Sequence, residues 1–203
     1  MNNCIIDTRE KKLVAVCKGF ALPTDGSFDT IGAGAFYKDK NVTEIVIPDG
    51  VKVIEERAFL GCENMVSVHI PESVTYIGES AFYYCLALET VSIPGSVKTI
   101  GRQAFAACMS LREVVFGEGI EYIASNAWNG CGNIESVRIP ASVKRVEGYA
   151  FFDCQKLKSV IFAETEGWRM AEKNSFEGGT PIDVSDPSVN IQYFLTWKYL
   201  YRE

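Results

Sequence analysis

The sequence predicts an α/β repeat solenoid, because three residue patterns recur along it with one fixed period. An alanine followed by an aromatic residue returns every 23 residues from Ala35 to Phe151. Five of the seven cysteines keep the same spacing, at positions 62, 85, 108, 131 and 154. An isoleucine followed by a proline recurs at positions 47, 70, 93 and 139. A constant period between about 20 and 50 residues is typical of stacked structural repeats.

Within one repeat, polar and apolar residues alternate from Thr90 to Ile93, which predicts a short strand with one buried face. Pro94 has no N–H to donate to a neighbouring strand, so it ends this strand. Ala104, Phe105 and Cys108 follow at a spacing that favours one face of a single helical turn. One such unit cannot bury its apolar residues alone, whereas stacked copies cover one another.

Charge and hydropathy argue against nucleic-acid or membrane partners. The chain of 203 residues carries a net charge of −6 and has no basic block, whereas contacts with phosphate depend on lysine and arginine. No apolar run reaches the roughly 18 residues that a membrane helix needs, so we expect no membrane insertion. The N-terminus lacks the pattern of a signal peptide. If Met1 is the natural start, we expect a cytoplasmic monomer.

The string L-x-x-V-x-I-P-x-S-V-x-x-I-G-x-x-A-F-x-x-C, which runs from Leu88 to Cys108, resembles the repeat of BspA-like leucine-rich-repeat proteins, the treponemal class. The resemblance implies a right-handed leucine-rich-repeat superhelix of 23-residue coils, with a parallel β-sheet on its concave face and short helical turns opposite. It also implies a non-enzymatic role, since members are mostly known as adhesins and interaction modules of host-associated microbes. Their surface or secreted location is the alternative to the cytoplasm.

The ends of the chain leave the repeat and predict two caps. Residues 1–30 are expected to form an N-terminal β-hairpin cap with its turn near Asp7, followed by six coils over residues 31–163. Residues 164–203 are expected to form a C-terminal cap. In this cap residues 180–184 predict a strand, and Ser185 or Asp186 is expected to cap a terminal helix. The apolar face of that helix would carry Val189, Tyr193, Trp197 and Leu200.

The cysteine column has two interpretations, a metal or redox stack and a column of small buried side chains. A zinc site usually draws its four ligands from close cysteine pairs or from histidine. Here no two cysteines are close in sequence, and the single histidine, His69, lies elsewhere. We therefore expect buried reduced thiols, with no metal and no cofactor.

His69 is the one residue that suggests catalysis. It lies at an outward position of its strand, beside Ser67, and Ser92 follows one coil later. A hydrolase would also need an acid that orients the histidine, an oxyanion hole and a pocket. The pattern shows none of these, so we expect a solvated histidine and no enzyme.

Outward positions of the predicted strands change character from coil to coil, whereas the core columns hardly vary. This is typical of a surface free to be specific, and equally of a surface under no constraint. Val115 and Ile161, on either side of Arg138, form a small apolar patch with a charge at its centre, which suits a protein contact. The candidate protein-binding residues are Val46, His69, Ser92, Val115, Arg138 and Ile161, with Glu113 and Ser136 beside them. Tyr83, Tyr84 and Phe152 on the helical-turn edge form a second candidate surface.

These observations predict a non-enzymatic protein-interaction module, adhesin-like or scaffold-like, which binds a partner protein on its concave strand face. The alternative is a structural or self-assembling repeat unit with no dedicated ligand. Concentration-dependent mass in solution separates the two hypotheses.

Overall fold

The structure is a computed structural model that describes residues 4–16, 22–172, 179–194 and 196–202. These residues form short strands and one helix. In chain order they are β1 (Cys4–Asp7), β2 (Lys12–Val16), β3 (Thr30–Ile31), β4 (Glu44–Val46), β5 (Val53–Ile54), β6 (Ser67–His69), β7 (Tyr76–Ile77), β8 (Thr90–Ile93), β9 (Thr99–Ile100), β10 (Glu113–Phe116), β11 (Tyr122–Ile123), β12 (Ser136–Ile139), β13 (Arg145–Val146), β14 (Ser159–Phe162), β15 (Trp168–Ala171), β16 (Thr180–Pro181), α1 (Ile191–Phe194) and β17 (Tyr199–Arg202).

Each coil contributes one longer strand to a ribbon of parallel strands. The strands stack in the order β4, β6, β8, β10, β12 and β14, with hydrogen-bonded pairs β4–β6, β8–β10 and β12–β14. β6 lies beside β8, and β10 beside β12. Paired residues on neighbouring strands are 23 positions apart, which equals the period of the sequence repeat: Val46 pairs with His69, and Ser92 pairs with Val115. We call the outward surface of these six strands the strand face.

A second ladder of two-residue strands holds the coils together and is extended at both ends. β3, β5, β7, β9, β11 and β13 pair in parallel, and the hairpin β1–β2 joins them through β3. The predicted hairpin is therefore present, and its turn is closed by Asp7 Oδ1, which accepts the backbone N–H of Arg9 at 2.9 Å. At the other end β17 pairs antiparallel with β13, and β15 and β16 follow. Both ends of the ladder are thus covered by strands that the repeat does not supply.

Hydrogen-bonded turns occupy the third side of each coil, where single helical turns were predicted. The backbone N–H of Phe59 donates to the Ala81 carbonyl of the next coil at 2.7 Å, and Phe82 donates to Ala104 in the same way. Arg57 and Tyr84 have positive φ values of 56° and 64°, which a right-handed helix does not allow. Among the described residues α1 is the one helix, so the fold is a β-solenoid of about six turns. The right-handed superhelix stays a prediction.

The core is a continuous stack of aromatic rings under these turns. The ring of Phe82 lies between those of Phe59 and Phe105, with centroid distances of 4.9 Å on both sides and nearly parallel planes. Phe36 extends the stack at the N-terminal side, and Trp128 and Phe151 continue it. All six rings are at most 1% exposed. Each coil therefore buries its aromatic residue only because its neighbours supply the other two faces.

The C-terminal cap differs from the helix that the sequence predicts. Asp186 does cap a turn, since its Oδ1 accepts the Ser188 N–H at 2.9 Å, but the helix covers only Ile191–Phe194. Leu200 lies in β17 opposite Val146, so the prediction that the helix carries it is wrong. β13 is the last parallel strand of the ladder, and its outer backbone N–H and C=O groups need partners. Pairing with β17 supplies them, which explains why Leu200 lies in a strand.

Two side chains of the cap lie against the last coil. The ring of Phe194 lies 5.4 Å from that of Phe151 and closes the aromatic stack. Asn190 is fully buried, and its amide donates to the carbonyls of Val160 at 2.8 Å and Val184 at 2.9 Å. These contacts join the segment after β16 to the end of the solenoid.

Candidate functional site

The strand face presents the predicted binding residues to solvent. Residues at alternate positions point in opposite directions along each strand, so Val91 and Ile93 are buried while Thr90 and Ser92 are exposed. The structure places all eight candidate residues on this face and leaves all of them exposed: Val46, His69, Ser92, Glu113, Val115, Ser136, Arg138 and Ile161. The sequence thus located a coherent surface. Its binding role stays a prediction.

Three of these exposed residues are large and apolar. Val46 is 68% exposed, Val115 is 49% exposed and Ile161 is 38% exposed. Arg138 lies opposite Ile161 in the pairing of β12 with β14, and β10 with Val115 is the next strand. The guanidinium of Arg138 forms no hydrogen bond or ion pair with the residues that the structure describes. Val115 and Ile161 thus offer a partner apolar contact area on both sides of a free cation, and Val46 lies four strands from Arg138.

A cavity of about 350 Å³ lies beside His69 at the edge of the strand face. Its lining includes His69 and Ser92 together with the carboxylates of Asp49 and Glu72. Sequence reasoning missed these two acids, although each follows the proline that ends its strand. Within the described part of the chain, the His69 side chain forms no hydrogen bond, so no residue orients its ring. A general base usually has such a partner.

The acids at this edge differ from those elsewhere in the solenoid. In other columns opposite charges alternate between coils, as in Lys144–Glu121 at 2.8 Å and Lys158–Glu135 at 3.0 Å. The column at the strand ends has no base and contains Asp49, Glu72, Gly95, Glu118, Ala141 and Glu164. Asp49, Glu72 and Glu118 form no ion pair with any described residue. Like charges on adjacent coils repel one another, and a cationic partner would remove this cost.

The turn side of the solenoid carries the second candidate surface. Tyr84 is 40% exposed and Phe152 is 42% exposed, whereas Tyr83 is half-buried. The rings of Tyr83 and Tyr84 lie 5.2 Å apart. Met109 occupies the position in its coil that Leu86 occupies in the preceding coil, and its side chain is exposed.

The five cysteines of the column are buried free thiols, and each Sγ donates to a backbone carbonyl of the preceding coil. Cys85 donates to Phe59 at 3.3 Å, and Cys131 donates to Phe105 at 3.1 Å. Burial raises the pKa of the Cys62 thiol to about 12 and raises the pKa values of Cys85 and Cys131 well above the ordinary value. Such thiols are neutral near pH 7 and unreactive. Among the described residues no three His, Cys, Asp or Glu side chains are grouped to hold a metal ion.

None of the helices in the described ranges has the length and apolar character to span a bilayer. This finding concerns helices alone.

Comparisons with known proteins agree with this architecture. The sequence model of the BspA type leucine rich repeat region matches residues 29–184 in six copies. The leucine-rich-repeat protein of T. pallidum, TpLRR, is 25% identical with a TM-score of 0.67, and the match covers 78% of each chain. A leucine-rich-repeat protein from Bacteroides ovatus is 36% identical with a TM-score of 0.58, over 66% of this chain and 34% of that one.

The pneumococcal vaccine antigen PcpA is 22% identical with a TM-score of 0.66 and shows likeness of fold alone. The match covers 84% of this chain and 51% of PcpA. The chain therefore spans about half of PcpA and about a third of the Bacteroides ovatus protein. No curated protein matches it.

Proposed function

Because this chain belongs to the BspA-type leucine-rich-repeat family, we propose that it is a non-enzymatic interaction module that binds a partner protein on its strand face. Leucine-rich-repeat folds generally act as protein-interaction or scaffold modules, and this finer assignment goes beyond the family. One observation carries it. Six stacked strands hold exposed side chains that differ from coil to coil on a core that hardly varies.

The apolar residues supply the area for such a contact. Val46, Val115 and Ile161 are exposed on strands that pair with neighbouring coils, where their backbone would lose little conformational freedom on binding. Arg138 lies next to Ile161 and adds a cation that has no partner in the described chain. Arginine surrounded by apolar contact area is the composition of many interface centres.

The charges favour a partner with a basic segment. Asp49 and Glu72 line the cavity beside His69, and Glu113 adds a carboxylate at the start of β10. Their repulsion falls when lysine or arginine of a partner lies between them. Arg138 would then meet an acidic group of the same partner, which fixes its orientation.

The geometry around His69 favours binding over catalysis. Asp49, Glu72 and Ser92 share a cavity with this histidine, but none of them forms a hydrogen bond with its ring. The cavity lies at the edge of an open strand surface, where water screens the groups from one another. We therefore propose no enzymatic role. A cytoplasmic location, like the surface or secreted location of relatives, stays a prediction.

A charge-reversed strand face tests the proposal. The variant Val115→Glu, Arg138→Glu, Ile161→Glu and the wild-type chain are used to capture proteins from lysate of the source cells and from extracellular matrix. We expect wild type to capture one protein reproducibly and the variant to lose at least about 90% of it, because three contacts at an interface centre are replaced by charges. The extract that supplies the protein indicates the location.

A charge-matched variant of the turn side is the control. Met109→Glu, Phe152→Glu, Lys156→Glu changes the net charge equally at three exposed positions away from the strand face. It should retain capture, and all three proteins should unfold at similar urea concentrations. Equal loss in both variants would contradict the proposal. Capture of further copies of the chain alone, with mass that rises with concentration, would favour the self-assembling unit.

A further inference from the structure

A second cavity, of about 540 Å³, lies where the last coils meet the C-terminal cap. It is outside the strand face and has a different composition. Its lining includes two charged residues, one amide and three aromatic residues: Arg102, Glu147, Asn126, Tyr149, Trp197 and Tyr199. The volume falls in the range of about 300–1,000 Å³ that is usual for small-molecule sites.

The backbone of the cap builds one wall of this cavity. Tyr149 donates its N–H to the Thr196 carbonyl at 2.9 Å, which fixes the chain next to Trp197. Gly148 allows this approach, because a Cβ at that position would lie 2.3 Å from the Trp197 carbonyl oxygen. Tyr199 follows in β17, which is paired with β13. Trp197 is therefore held by an ordered backbone on both sides.

Trp197 differs from the other two tryptophans of the chain. Trp128 is fully buried and Trp168 is 2% exposed, whereas Trp197 is 44% exposed at this cavity. An exposed indole offers a flat apolar surface together with an N–H donor. Residues of this kind are favoured where a ligand has one apolar face and a polar rim.

The polar groups around Trp197 have hydrogen-bonding capacity left. Asn126 uses its Oδ1 to accept the Asn129 amide at 2.8 Å, which leaves its own N–H groups. Glu147 accepts the Ser125 N–H through Oε2 at 3.0 Å and also accepts a hydrogen bond from the Tyr122 side chain; a carboxylate has about four acceptor positions, so capacity remains. Arg102 is exposed and forms no ion pair with any described residue. One cation and one anion at the same cavity favour a neutral ligand over a charged one.

We propose that this cavity binds a neutral pyranose sugar. One face of the ring, made of C–H groups, packs on the indole of Trp197. Its hydroxyl groups donate to Glu147 and accept from Asn126 and Arg102, so these three side chains use their remaining hydrogen-bonding capacity. A sugar ring has a flat apolar face surrounded by hydroxyl groups, which fits this arrangement. A peptide side chain lacks such a rim of hydroxyl groups and fits it less well. The site is independent of the strand face.

The indole N–H signals of the three tryptophans provide the test. In a proton–nitrogen correlation spectrum each gives one cross-peak, and the Trp197→Phe variant assigns that of Trp197. The methyl glycosides of glucose, galactose, mannose and N-acetylglucosamine are titrated separately to tens of millimolar. We expect at least one to shift the Trp197 signal with saturation, while the signals of Trp128 and Trp168 stay in place.

Three variants complete the experiment. Arg102→Gln and Glu147→Gln should each weaken the affinity roughly 2- to 10-fold, as expected for the loss of one hydrogen bond to the ligand. Arg112→Gln, which changes a charge outside the cavity, should leave the affinity unchanged. The proposal is overturned if none of the four glycosides shifts the Trp197 signal, if all three signals shift together, or if neither cavity variant weakens the binding. The charge-reversed strand-face variant should bind the sugar normally, so the two proposals fail separately.

Discussion

Replacing Phe82 with alanine is expected to lower the free energy of unfolding by about 3–5 kcal/mol. The ring is fully buried and lies 4.9 Å from the rings on both neighbouring coils. The cavity left behind cannot close easily, because backbone hydrogen bonds of 2.7 Å hold the coils on both sides of Phe82 at a fixed spacing. Urea denaturation of wild type and variant measures the difference.

Phe152→Ala is the matched control for this prediction. Phe152 belongs to the same turn in a later coil but is 42% exposed, so its loss should cost less than about 1 kcal/mol. If the two substitutions cost the same, the aromatic stack is not the core of the solenoid. A small loss at Phe82 alone would indicate that the coils relax onto one another, against the fixed spacing described above.

Mild alkali is expected to destabilise the fold through the cysteine column. Burial holds the pKa of Cys62 at about 12 and the pKa values of Cys85 and Cys131 well above the ordinary value of 9.0. At a pH between about 9 and the folded pKa, these thiols therefore stay protonated in the folded state, whereas the same thiols in the unfolded state are deprotonated. Since the pKa is raised on folding, this stabilisation is complete below about pH 9 and is lost as the pH rises towards the folded pKa.

The size of this effect follows from linkage. At about pH 10 each thiol that is still protonated in the folded state lowers the free energy of unfolding by about 1.4 kcal/mol relative to pH 8. Burial also raises the pKa values of Cys108 and Cys154, so the column as a whole lowers the free energy of unfolding by about 6 kcal/mol. Urea denaturation under reducing conditions at a series of pH values measures it. The double variant Cys85→Ala, Cys131→Ala removes two of the five buried thiols of the column and should lose about 40–50% of this dependence. An unchanged dependence would show that other groups cause it.

The sequence predicted the stacking of the coils because that information is repeated. Each core column, such as the one that contains Phe82 and Phe105, returns with period 23, and the structure uses the same number as the strand register. The outward positions followed from the alternation within each strand, which is why Val115 and Arg138 were found on one face.

Interactions between distant residues explain what the sequence did not reveal. The spacing of Ala104, Phe105 and Cys108 fits one helical turn. In the structure hydrogen bonds to the neighbouring coil, such as Phe105 N–H to Ala127 O at 2.8 Å, alternate with local ones, such as Ala104 N–H to Gly101 O at 3.2 Å, and the turn does not become a helix. Trp197 and Leu200 likewise have helical spacing, yet the unpaired edge of β13 takes Leu200 into a strand.

The candidate sites show the same limit. Asp49 and Glu72 were not identified from the sequence, because nothing in the local sequence places them at a cavity with His69. The cavity at Trp197 needs Arg102 and Asn126, which are brought to it by the stacking of coils and the fold of the cap. Comparing equivalent positions of successive repeats, instead of neighbouring residues along the chain, would have revealed the like charges at the strand ends.

Site-specific photo-cross-linking shows which surface of the solenoid contacts the captured protein. A p-benzoylphenylalanine side chain is placed at Val115 on the strand face and, in a second protein, at Tyr84 on the turn side; the two native residues are 49% and 40% exposed. Both proteins are irradiated in the extract that supplies the captured protein. We expect a covalent adduct with that protein from position 115 and none from position 84. An adduct from position 84 alone, or equal adducts from both positions, would contradict this expectation.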